Sequence, residues 1–98
     1  MLASNPQLQN LNELRTYVQQ VLCETSELAA GAFPITERTL VRSGKPCGIY
    51  FCLHGPRAVK FSAIWETERN TILFYGSAGE RIHRVKLLDA PNLEPVAA

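Results

Sequence analysis

Two cysteines and a histidine fall within one stretch, Cys47-Gly48-Ile49-Tyr50-Phe51-Cys52-Leu53-His54, and these are the residue types of metal sites and thiol nucleophiles. Structural zinc takes four ligands, usually with paired cysteines two to four residues apart at a turn. Cys47 and Cys52 are five apart in a segment that alternates like a strand, so they are expected on opposite faces, unable to share an ion. A thiol enzyme would pair Cys52 with His54. An i, i+2 pair on a strand is separated by about 6–7 Å, beyond the hydrogen-bond reach a Cys–His couple needs. His83 falls on the other face by parity. Cys23 is expected on the exposed side of a helix near Glu24 and Glu27, which disfavours its thiolate. No metal, no cofactor and no catalytic residue is therefore expected, and thiol catalysis at Cys52 ranks third among the functional readings.

Other spacings invite and then resist a chemical reading. Gly76-Ser77-Ala78-Gly79, with Arg81 just after, resembles a phosphate-cradling loop, but it joins two strand-like segments and lacks the Lys-Ser/Thr continuation. A hairpin loop is the simpler reading. Glu66 and Glu68 flank a turn with no second carboxylate pair to face them, so acid/base catalysis is not indicated.

Charge is the strongest functional signal. The net charge is only +1, yet residues 36–88 hold nine basic side chains against four acidic ones, while the segments before and after are each at −2. Lys60, Arg84 and Lys86 are expected to share a sheet face with Tyr50 and His54, a combination that neutralises phosphates and stacks bases. The sequence pI of about 7.7 is well below the value above about 9 of a dedicated nucleic-acid binder. Nucleic-acid or anion binding through this face is the alternative, and solvated charges guarding strand edges are the default.

The elements that must position these residues follow from hydrophobic period. Leu8, Leu11, Leu14, Val18, Val21, Leu22, Leu28 and Ala29 recur at helical spacing, which predicts an amphipathic helix over residues 7–31 after an N-terminal arm, 1–6. Asn5 or Ser4 is the expected N-cap, with Pro6 in the first turn and Gly31 at the stop. After Pro34 the period changes to two. Strands are expected at about Thr36–Arg42, Cys47–His54, Ala58–Glu66, Thr71–Tyr75 and Arg81–Leu88, followed by an extended tail, 89–98. His54-Gly55-Pro56-Arg57 suits a type II′ turn with Gly55 at positive φ, and Glu66 to Asn70 suits a type I turn closing on a left-handed Asn70. Ser43 to Pro46 and Gly76 to Gly79 read as looser loops.

The expected fold is α+β in a single domain: one long N-terminal amphipathic helix on one face of a four- to five-stranded antiparallel β-meander. One stripe covers one sheet face. Ile49, Phe51, Leu53, Val59, Phe61, Ala63, Trp65, Val85 and Leu87 are the expected core. The opposite face carries Tyr50, Cys52, His54, Lys60, Ser62, Ile64, Arg84 and Lys86, with Leu73 and Tyr75 as further candidates. A 7–31 helix of about 36 Å would also outrun a strand of about 23 Å, leaving Leu8 and Leu11 in need of cover.

With 46% hydrophobic and 19% charged residues the composition sits inside the globular range, and disorder and low complexity are poor readings. No run approaches the ~18 apolar residues of a membrane span. The start lacks a secretion signal, and an odd count of three cysteines without framework spacing suits reduced thiols, so a cytoplasmic location is expected. The functional expectation is a non-enzymatic protein-interaction module whose partner is itself, as a homodimer, or another protein, met through the uncovered sheet face or an edge.

Overall fold

The computed structural model describes residues 10–26, 28 and 32–87. Among these residues there are one α-helix, α1 (Leu11–Ser26), and five strands: β1 (Ile35–Arg42), β2 (Lys45–His54), β3 (Lys60–Glu66), β4 (Thr71–Tyr75) and β5 (Arg81–Lys86). Each strand pairs antiparallel with its sequence neighbour, giving the sheet order β1-β2-β3-β4-β5. The α+β meander with a helix on one face is the fold, and the number of strands is five. No helix among the described residues is long and apolar enough to cross a membrane.

α1 starts where the Asn10 side-chain oxygen accepts the Glu13 N–H at 2.9 Å, satisfying one of the donors a helix start leaves orphaned. The caps expected at Ser4, Asn5 and Gly31 lie outside the described residues. At its far end Thr25 and Ser26 turn their hydroxyls back onto the Val21 and Leu22 carbonyls at 2.9 and 2.6 Å. The Leu28 N–H then reaches the Cys23 carbonyl at 3.0 Å. At 16 residues the helix is about 24 Å long, the span of a seven-residue strand. Leu11 packs against the core, so the overhang expected there is absent; Leu8 lies outside the described residues.

Leu14, Val18 and Leu22 of α1 are fully buried against Ile49, Phe51, Leu53, Ala63, Trp65, Ile72, Phe74, Val85 and Leu87. Cys23, expected on the exposed side of the helix, is only 6% exposed. Leu28 and Phe33, beyond α1, also pack against the core. Ile72 and Phe74 were not in the expected core, and Val59 and Phe61 are half-buried rather than central. Thr71–Tyr75 is apolar in both parities, and only its register, with Phe74 opposite Ala63 and Ile72 opposite Trp65, decides which side faces inward.

The turns hold the register. Ser43 and Gly44 both have positive φ, 54° and 77°, the signature of a two-residue type I′ hairpin, so this connection is tight rather than loose. At the next turn the left-handed residues are Arg57 (59°) and Ala58 (64°), while Gly55 sits at φ −86°. The expected type II′ turn is replaced by a turn with left-handed Arg57 and Ala58 at its centre, closed by the Val59 N–H on the Pro56 carbonyl at 3.1 Å, and β3 begins at Lys60 instead of Ala58. Glycine serves at 55 for room: a Cβ there would lie 3.1 Å from a Leu28 methyl. The Gly76–Gly79 loop is closed by Glu80, whose carboxylate accepts the Ala78 N–H at 3.0 Å. A donor that a phosphate would use is thereby already taken.

Asn70 adopts the left-handed conformation expected of it, at φ 47°. Its side-chain oxygen accepts the indole N–H of fully buried Trp65 at 3.0 Å. Its backbone carbonyl takes the Leu87 N–H at 3.0 Å, tying the end of β5 to the β3–β4 turn. Asn70→Ala should therefore cost about 2–4 kcal/mol in denaturant unfolding, because it orphans a buried donor and removes the short polar side chain that makes Asn tolerant of positive φ. Asn70→Gly should cost less, since it relieves the backbone part only.

Burial, and secondarily the Glu24 charge, raises the pKa of Tyr17 above its ordinary 10.0. Below about pH 10 both folded and unfolded chains keep this phenol protonated, and its contribution to stability is complete. As pH rises from there to the folded-state pKa, the unfolded chain ionises first and stability falls. A Tyr17→Phe variant should lose less stability than the native protein between pH 9 and 11 in thermal melts, about the range of an ordinary tyrosine titration.

Candidate interaction surface

Residues opposite each other in an antiparallel pair share a face, so the register writes out the sheet surface that α1 leaves open. Across the strands, its first row is His54 and Lys60. The second row runs Thr36, Cys52, Ser62, Tyr75 and Arg81, and the third runs Arg38, Tyr50, Ile64, Leu73 and Arg84. The fourth is Leu40, Gly48, Glu66, Thr71 and Lys86. Among the described residues no helix or strand lies over these rows, since α1 packs on the other side. All eight residues expected on the open face are on it, together with Leu73 and Tyr75.

The third row is the chemical centre of this surface. Tyr50, Ile64 and Leu73 form an apolar band over the three central strands, half-buried by their neighbours, and an arginine closes it at each edge. Outside these rows, Val41 on β1 and Ile82, the extra residue of a bulge in β5, are exposed at 61% and 40%.

The candidate basic residues are brought together only in part. Arg84 and Lys86 are neighbours on β5, but Lys60 lies three rows and two strands away, roughly 22 Å from Lys86 by strand geometry. The ion pairs seen among the described residues are Arg15–Glu37 at 2.6 Å, which joins α1 to β1 on the covered face, and Arg42–Glu68 at 3.9 Å. Arg38, Lys60, Arg81, Arg84 and Lys86 therefore have no carboxylate partner among the described residues. Neither does Glu66, the one carboxylate in the four rows.

The thiol candidates separate. Cys52 lies on the open face yet is only 5% exposed, hemmed in by Thr36 and Ser62 across the strands and Tyr50 and His54 along its own. His54 Nε2 lies 3.0 Å from Thr36 Oγ1, a hydrogen bond whose direction the imidazole tautomer decides, so the ring is held by threonine. His83 is on the helix side, its ring centroid 5.8 Å from that of Phe74. Among the described residues no group of three His, Cys, Asp or Glu side chains could hold a metal ion.

Cys47 departs from its expected parity. Leu40 pairs with Gly48 and Val41 with Pro46, which leaves Cys47 as the extra residue of a β-bulge. The alternation resets there, and Cys47 lines a hollow on the open face together with Leu40, Arg42, Ile64, Glu66 and Glu68. The hollow measures about 200 Å³. Its place in the fourth row is that of Gly48, where a Cβ would collide with the Trp65 carbonyl oxygen. Sequence reading missed this feature, although a glycine inside a strand is itself a sign of close backbone approach or a bulge. Thr67 secures the bulge by donating its N–H and hydroxyl to the Cys47 carbonyl at 3.0 and 3.1 Å.

No family model, curated protein or solved structure matches this chain.

Cys23 and Cys52 are buried and Cys47 is half-buried. A thiol reagent applied to the native protein should label Cys47 first and leave Cys23 and Cys52 until the chain is unfolded, as read by peptide mass spectrometry. Cys52 reacting ahead of Cys47 would restore it as a candidate nucleophile.

Proposed function

We propose that this domain is a protein-interaction module without a catalytic role, and that it works as a homodimer joined through the open sheet face. The observation that supports this reading is the Tyr50–Ile64–Leu73 band, an apolar centre with charges at its rim on a face no described element covers. Interfaces are built this way, with a desolvated centre inside a polar border. Five strands about 4.8 Å apart and four rows give a footprint on the order of 500 Å² per copy, at the small end for specific association. A reversible dimer with a dissociation constant on the order of 10 µM is the matching expectation.

The five cations without partners favour a second reading, binding of a single-stranded nucleic acid across Tyr50 and Tyr75. It ranks below the first because the net charge is +1 and Glu66 stands within the same rows.

Sedimentation velocity over rising concentration should show the dimer, and Ile64→Lys should return it to monomer with an almost unchanged melting temperature. A particle that stays monomeric at roughly 100 µM, ten times the expected constant, ends the homodimer. Monomeric protein that binds oligonucleotides with steep salt dependence would carry the second reading instead.

A further inference from the structure

We infer that two copies dock sheet to sheet with their β3 strands antiparallel, about a two-fold axis that crosses β3 at the level of Ala63. Lys60 of each copy then meets Glu66 of the other, and His54 of each enters the hollow at Gly48 of the other. This rests on the homodimer proposed above and adds its geometry.

The four rows carry the argument. Lys60 and Glu66 stand at opposite ends of the central strand, three residues either side of Ala63, on the open face, and neither has an ion-pair partner among the described residues. A two-fold lying in the sheet plane and running across the strands exchanges the first row with the fourth and the second with the third. It therefore superposes each Lys60 on a Glu66, and by symmetry does so twice. The same operation places His54, a bulky side chain of β2, over Gly48, the position in β2 with no side chain, beside the hollow lined by Leu40, Arg42, Cys47, Ile64, Glu66 and Glu68. Between these contacts Tyr50 meets Cys52, Ile64 meets Ser62 and Leu73 meets Tyr75, so the apolar band closes over uncharged side chains.

The other simple two-fold, parallel to the strands, is excluded by its contacts. It would set Arg38 against Arg84 and Glu66 against Glu66, adding repulsion at the centre and at both edges. With the strands antiparallel, like charges approach only at Arg81 and Arg84 on the outermost strand. There the roughly 30° crossing of packed sheets carries them apart, and solvent ions screen them. A helix then lies on the outside of each sheet, a four-layer particle with α1 exposed on its far sides.

Charge reversal tests the geometry. Lys60→Glu and Glu66→Lys should each weaken the variant's own dimer at least about tenfold, because two attractive contacts become two repulsive ones. An equimolar mixture of the two should return to within about threefold of the native constant, since every 60–66 contact across the heterodimer is again between opposite charges. If the native chain dimerises and Ile64→Lys abolishes it, but the mixture is no tighter than either variant alone, this docking is wrong and the open-face homodimer stands. If the native chain never dimerises, both fall. Should a reversed chain not fold, Lys60→Gln and Glu66→Gln replace it: each alone should weaken the dimer, and the double variant should lose little more than one of them. Additive losses would overturn the pairing.

Discussion

The pairing of β2 with β3 is the constraint from which the other features of this domain follow. It sets Phe51 against Ala63 and Ile49 against Trp65 on one side, and Tyr50 against Ile64 and His54 against Lys60 on the other. A slip of one residue would send the aromatic core to solvent and the charges under α1, so the register is enforced by the whole apolar content of the two strands. Gly48 sharpens it, because only a residue without Cβ can pass the Trp65 carbonyl. Asn70 locks the same tryptophan from its other end through the indole N–H. Trp65 is thus held by backbone on one side and by a turn side chain on the other.

Much of this was legible in the residues themselves. The helical stripe through Leu14, Val18 and Leu22, the change of period at Pro34 and the left-handed Asn70 are local signals, and each is realised. The composition of the open face was legible too, because alternation from Ile49 to His54 and from Lys60 to Glu66 needs no information beyond the strand. What escaped were features set by contacts distant in sequence. Ile72 and Phe74 could not be told from Leu73 and Tyr75 until Trp65 and Ala63 were seen opposite them. The bulge at Cys47 belongs to a two-strand mismatch, and Cys23 is buried with the core cluster although its place on the helix is opposite the stripe. The turn at Pro56 was misjudged because glycine was assigned to positive φ, when the crowding at 55 comes from Leu28, 27 residues away.

The chemistry-bearing residues are spent on structure to a degree their types did not announce. His54 is tied to Thr36, the Glu80 carboxylate closes its own loop, and Cys52 lies beneath its neighbours. Surface recognition is the role proposed for the exposed groups. The open face has a layout that suits it, with an apolar centre, charges at separated corners and one concavity at the Cys47 bulge of β2. In the proposed interface, where Glu66 and Glu68 sit among the cations would matter more to selectivity than total charge.

The strictly sequential strand order has a kinetic corollary. Every ladder joins a strand to the one synthesised just before it, across connections of a few residues, so hairpins can form and add in turn as the chain lengthens. The exception is α1, made first but docked mainly over β2 and β3, which must wait for those strands before its stripe leaves water. Until Glu66 has been made, the apolar stripe of that helix has no complete sheet to cover it.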